Sequence, residues 1–254
     1  MTSGYGCGGL CAVTDTDAAP VLRARLGAIE IVRLNRPDKR NALDSTGLAL
    51  LIATLEELAT DEDLRVLVLS STSVRAFCAG ADVAEVLDRS GGLARMSAFT
   101  RLYTLVEQFP VPTIAVCVGN CVGAGAEIAA GCDLRVGGDN LTLCWAGARL
   151  GVPVGPARLT PLVGLARAKD LVLTGRPIDM AEAQNYGLLQ RTAAAEDAEA
   201  AALALAAAVA AQSADGVRAI VQMFRDLEST SQRVAYQNER LMDFQRSGTG
   251  LPAG

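Results

Sequence analysis

Histidine is absent from the 254 residues, which excludes every mechanism built on a Ser-His or Cys-His pair or on a histidine-bound metal. Proton transfer is left to Asp, Glu, Tyr, Lys, Cys or water. One glutamate stands out by its surroundings. Glu127 lies in Gly123-Ala124-Gly125-Ala126-Glu127-Ile128-Ala129-Ala130, where small and apolar neighbours predict a buried carboxylate on the first turn of a short helix. The positive end of a helix attracts such a group, and a positioned carboxylate is a candidate acid/base. The seven cysteines (Cys7, Cys11, Cys78, Cys117, Cys121, Cys132 and Cys144) are odd in number and lie mostly in apolar surroundings. They read as small buried hydrophobes rather than a disulfide framework. Cys7-x-x-x-Cys11 and Cys117-x-x-x-Cys121 lack the CxxC pairs and histidines of a zinc site, so no metal is expected. Gly4-Tyr5-Gly6-Cys7-Gly8-Gly9 fits GxGxxG formally, but it follows no strand and opens no helix, so the dinucleotide reading fails.

The elements that must position Glu127 form a βα-repeating pattern. Ala28 to Leu34 (AIEIVRL) alternates like a strand, and Asn35 to Asn41 reads as a turn. Asp44 or Ser45 caps a helix running through Leu48, Leu51, Ile52, Leu55 and Leu58, and Arg65 to Ser70 is a buried strand. This βαβ unit favours a parallel pair with a right-handed crossover. A second unit has a helix from Met96 to Phe109, stopped by Pro110 and Pro112, and a strand from Thr113 to Val118. A short helix at Ala124 to Ala130 and strands at Asp133 to Val136 and Leu141 to Cys144 follow, and from about Arg158 onward the pattern is almost wholly helical. The organisation expected is a flexible lead-in over residues 1–20, a core over 21–192 and a helical region over 193–254.

Composition narrows the function classes. The chain is 50% hydrophobic and 20% charged, as in an ordinary α/β domain with a sizeable core. Its net charge of -5 and lack of a basic stripe argue against a nucleic-acid partner. No apolar run approaches the roughly 20 residues of a membrane span, and the N-terminus lacks the pattern of a secretory signal. A cytoplasmic location is expected.

Four ordered segments then bring a family into view. They are Leu34-Asn35-Arg36-Pro37 with Asn41-Ala42-Leu43; Ala76-Phe77-Cys78-Ala79-Gly80-Ala81-Asp82; Gly123-Ala124-Gly125-Ala126-Glu127 with Cys132-Asp133; and Leu173-Thr174-Gly175-Arg176-Pro177-Ile178 with Glu182-Ala183 and Gly187-Leu188. In this order and spacing the chain resembles the enoyl-CoA hydratase/isomerase (crotonase) superfamily over about residues 25 to 245. The resemblance implies an α/β, crotonase-like spiral of ββα units with a C-terminal helical trimerisation region, assembled as a homotrimer or a hexamer. It implies an enzyme that binds an acyl-CoA thioester, with coenzyme A as part of the substrate and no separate cofactor. The N-H groups of Ala81 and Ala124 match the donors of an oxyanion hole, and preorganised donors of this kind each contribute about 3 kcal/mol. Ala124 stands where the family usually has glycine. Glu127 matches one of the two hydratase glutamates. The second glutamate's place, in Leu143-Cys144-Trp145-Ala146-Gly147, is taken by Gly147, which cannot protonate a carbon; Trp145 and Arg149 flank the gap. Arg75 matches a position that meets the coenzyme A phosphates, and Ala79, Gly80, Ala81, Asp82 and Val83, with Gly123 and Ala124, would run along the ligand. Lys39 and Arg40 are further candidates at the entrance. Three readings stay open: hydration of a 2-enoyl-CoA, double-bond isomerisation through Glu127 alone, and acyl-CoA binding without turnover.

Overall fold

A computed structural model describes residues 19–247, 250 and 251. The GxGxxG match, Cys7, Cys11, nearly all of the expected lead-in and most of the C-terminal tail lie outside the described residues.

Alternation in the strands builds a sheet buried on both faces. A six-stranded sheet has the order β1-β2-β3-β5-β7-β9, from Val21–Leu26 (β1), Ile29–Leu34 (β2), Val66–Ser71 (β3), Thr113–Cys117 (β5), Leu134–Gly138 (β7) and Arg191–Ala193 (β9). β1 runs antiparallel to β2, and every later pair is parallel. Because successive side chains point to opposite faces, Val32, Leu34, Leu67, Leu69 and Ala115 join the main core. Ile29, Ile31, Val66, Val68 and Ile114 enter a second, smaller core on the other side. The helix Ala198–Ala210 (α7) covers that second face with Ala198, Ala202 and Ala206, all fully buried.

A three-stranded parallel sheet, β4-β6-β8, comes from Ala76–Cys78 (β4), Asn120–Val122 (β6) and Thr142–Cys144 (β8). Each turn of the chain therefore adds one strand to each sheet and then a helix. β3 and β4 lead to Arg89–Glu107 (α2), and β5 and β6 lead to Ala124–Gly131 (α3). The remaining helices are Ser45–Leu58 (α1), Pro156–Val163 (α4), Leu165–Thr174 (α5), Met180–Asn185 (α6), Ala214–Leu227 (α8) and Thr230–Ser247 (α9).

Sequence expectations fail at element boundaries for local reasons. α2 starts at Arg89 rather than Met96, because Asp88 accepts a hydrogen bond from the Gly91 N-H at 2.7 Å and caps a turn that the Gly91-Gly92 pair disguises. The stretch after Arg158 is not wholly helical: Arg191–Ala193 pairs in parallel with β7, and α7 begins only at Ala198. The β2-α1-β3 unit is the parallel βαβ pair that its periodicity indicates, with Asp44 as the helix cap, accepting from the Gly47 N-H at 2.8 Å.

Candidate active site

Two bends of small residues emerge side by side because β4 and β6 are parallel neighbours. The chain leaves β4 through Ala79-Gly80-Ala81 and leaves β6 through Gly123 into α3. Gly80 has φ +105°, a conformation that side chains disfavour. A methyl group on Gly80 would sit 3.1 Å from the Val122 carbonyl oxygen and 3.6 Å from the Ala124 nitrogen, so the bends can touch only because that methyl is missing. Leu43 pins the first bend: its N-H donates to the Gly80 carbonyl at 2.8 Å, and its carbonyl accepts from the Asp82 N-H at 2.9 Å. The Ala81 N-H between them donates to no acceptor among the described residues. The Ala124 N-H is likewise unused, as the first N-H groups of a helix have no partner within it. Both residues line one cavity of about 260 Å³.

The rest of that cavity is apolar apart from the side chain of Tyr103. Val83, Met96, Phe99, Val154 and Leu241 contribute to its wall, and among the described residues no Asp, Glu, Lys or Arg does. Ala79, Gly80 and Gly123 line it as the sequence suggests, and so does Gly147. A Cβ on Gly147 would meet the Val152 carbonyl oxygen and the Val154 Cγ1, each at 2.7 Å, so this backbone has no room for an acid there. Asp82 does not line the cavity; it pairs with Arg36 at 3.1 Å. Arg75, Lys39 and Arg40 are exposed and away from the wall, and Arg149 is exposed at its base, where it donates to the Gly175 carbonyl at 2.6 Å. Trp145 is fully buried beside Gly155, and its indole N-H has no partner. Burial pushes the Cys78 thiol up to about 12, which keeps this neighbour of the bends protonated and non-nucleophilic.

Glu127 is buried, as its neighbours predict, but it does not line the cavity. Its Oε2 accepts from Arg158 Nη1 at 2.9 Å and from Gln237 Nε2 at 2.8 Å, while Oε1 has no partner among the described residues. Arg158 has no exposed side-chain surface and lies 3.2 Å from a second buried carboxylate, Glu107. Burial opposes the charge on Arg158, but Glu127 and Glu107 outweigh it and hold the guanidinium protonated. Glu107 moves the other way: burial raises its carboxyl to about 7 against the pull of Arg158, with repulsion from Glu127 adding to the rise. Tyr103 joins this network to the cavity, since it lines the wall and carries Arg158 Cζ 4.7 Å from its ring centroid.

Arg158 and Gln237 are the site residues that sequence reasoning passed over. A signal existed for Gln237: Val234, Gln237 and Leu241 share one buried stripe of α9, where a lone polar group needs a buried partner. Gln237 also accepts from the Gly155 and Ala157 N-H groups at 3.1 and 2.9 Å, so one side chain ties α9, the start of α4 and α3 together.

Known proteins resemble this chain in sequence and fold. Residues 25–248 match the family model described as enoyl-CoA hydratase/isomerase. The chain is 34% identical over 201 residues to the Mycobacterium tuberculosis protein named "Probable enoyl-CoA hydratase echA8", covering 78% of each. It is 36% identical over 203 residues to mouse "Enoyl-CoA hydratase domain-containing protein 2, mitochondrial", covering 76% of this chain and 68% of that protein. Among solved structures, an enoyl-CoA hydratase from Bacillus anthracis superposes with a TM-score of 0.75 at 26% identity, covering 92% of this chain and 99% of that one. Pseudomonas aeruginosa DspI does so with a TM-score of 0.78 at 26% identity, covering 92% of each. With the spiral of paired strands, the meeting bends and a match along most of its length, the chain belongs to the enoyl-CoA hydratase/isomerase family of enzymes, within the crotonase superfamily.

Proposed function

We propose that the protein binds an acyl-CoA thioester with its carbonyl oxygen between the N-H groups of Ala81 and Ala124, and shifts a double bond along the acyl chain rather than adding water across it. The observation that carries this reading is the meeting of two unused backbone donors at one apolar cavity. Charge that develops on the thioester oxygen as a proton leaves C2 is stabilised by donors already in place, at about 3 kcal/mol each. The start of α3 adds its positive end. Hydration by two carboxylates is disfavoured because Gly147, at the place of the second acid, supplies none and leaves no room for one. Glu127 is the one carboxylate on the helix that opens at the cavity. With Oε2 held by Arg158 and Gln237, its unpaired Oε1 is the atom that lifts the proton from C2 and returns it at C4.

Glu127→Gln tests the assignment. It keeps the shape and removes the base, so turnover of a 3-enoyl-CoA should fall by about 10²- to 10⁴-fold while thioester affinity by calorimetry stays within a few fold. Unchanged turnover overturns the role of Glu127, and no thioester affinity in the parent protein overturns the whole reading. Product analysis with crotonyl-CoA decides between hydration and isomerisation. We further propose that copies of the chain assemble through α8, whose Ile220, Met223, Phe224 and Leu227 are exposed on one face. The proposed location is the cytoplasm, a reducing compartment that suits the buried free thiols Cys78, Cys117, Cys121, Cys132 and Cys144.

A further inference from the structure

Among the residues that line the cavity, Tyr103 alone has a polar side chain; every other one is Gly, Ala, Val, Leu, Met or Phe. Its ring is fixed from two sides. Phe99 lies one turn before it on α2, with centroids 6.0 Å apart, and the Arg158 guanidinium sits 4.7 Å from the ring centroid. Tyr103 is 5% exposed and its hydroxyl makes no hydrogen bond among the described residues, yet that oxygen is not one of the enclosed polar atoms that lack a partner. The donor is therefore open to the cavity that Tyr103 lines, and a ligand that fills the space without accepting its proton would leave it unpaired. Burial, reinforced by the nearby Glu127 charge, pushes its ionisation far upward, so the hydroxyl is a lasting donor and not a base.

We infer that Tyr103 is a specificity-determining residue that donates a hydrogen bond to an uncharged oxygen carried on the acyl chain beyond C3, so that the preferred ligand is the CoA thioester of an acid with a hydroxyl or oxo group further along the chain than the 3-hydroxyl of a hydration product. The inference rests on the acyl-CoA reading above and extends it. The thioester oxygen is already served by the two backbone amides, which leaves the phenol for a second oxygen. That oxygen is uncharged, because no Lys or Arg lines the cavity to balance a free carboxylate. A plain alkyl chain of the same length would fill the cavity and leave the donor unpaired.

Calorimetry with hexanoyl-CoA and with 4- and 5-hydroxyhexanoyl-CoA tests this in the parent protein and in Tyr103→Phe. The readout is the ratio of the hexanoyl dissociation constant to that of each hydroxy ligand, since general damage to the site weakens all three together. At least one hydroxy ligand should bind the parent protein about five- to tenfold more tightly than hexanoyl-CoA. That ratio should collapse to about one in Tyr103→Phe and persist in Val154→Ala, which alters the wall away from the two groups that fix the donor. Binding of hexanoyl-CoA with no preference for any hydroxy ligand overturns the role of Tyr103 alone, as does a preference that survives Tyr103→Phe. Failure of every thioester to bind the parent protein overturns the acyl-CoA reading, and this inference with it.

Discussion

Gly147 and Gly80 govern the site by what they lack. Restoring an acid with Gly147→Glu should not create a hydratase, because the new Cβ would press on the Val152 carbonyl and Val154 at 2.7 Å. The variant should melt with a loss of about 1–3 kcal/mol, read from denaturant midpoints, and crotonyl-CoA should remain unhydrated. Gly80→Ala tests the touching bends: a methyl 3.1 Å from the Val122 carbonyl oxygen, on a residue at φ +105°, must move one bend away from the other. The shift is a few tenths of an ångström, with the strain of a positive φ added, and kcat should fall by several fold toward the roughly hundredfold that a 1 Å misplacement costs, which steady-state assay with a 3-enoyl-CoA measures. The two bends were legible only through the ordered set of four segments that resembles the family, since either run, Ala79-Gly80-Ala81 or Gly123-Ala124-Gly125, alone is what any tight strand-to-helix turn contains. Arg158 was not legible. Pro156-Ala157-Arg158 reads as the start of a surface helix, and its burial is decided by Glu107, Glu127 and Tyr103, all distant in sequence.

Helices α2, α3, α4 and α9 are joined by buried polar side chains, charged on the first three and a neutral amide on α9. Glu107 ends α2, Glu127 opens α3, Arg158 lies in α4, and Gln237 reaches across from α9. The charged groups around Glu107 are Arg158, Glu127, Arg233 and, from α8, Arg225. Its folded carboxyl titrates at about 7 against an ordinary 4.5, so between those values the unfolded chain binds fewer protons than the folded one. Glu107 therefore favours folding at low pH, and stability falls as pH rises from about 4.5 through about 7. Denaturation midpoints at pH 5, 6, 7 and 8 should show this slope, and Glu107→Gln should flatten it. At this scale the long strands and α1 followed from periodicity. The three-residue strands β4, β6, β8 and β9 owe their existence to pairing with remote partners, and of these the sequence marked only β8.

For the whole molecule, α8 has no buried residue, and Ile220, Met223, Phe224 and Leu227 recur at helical spacing on its exposed side. Light scattering should find a trimer or a hexamer, and the double substitution Phe224→Glu with Leu227→Glu should give smaller species. A parent protein that scatters as a monomer rejects the assembly. The chain also has a single tryptophan, Trp145, packed without water next to cavity residues Ala146 and Gly147. Its ultraviolet emission therefore comes from one dry spot at the rim of the site. A titration followed by that glow, excited at wavelengths longer than the four tyrosines absorb, reports ligand arrival without any attached dye.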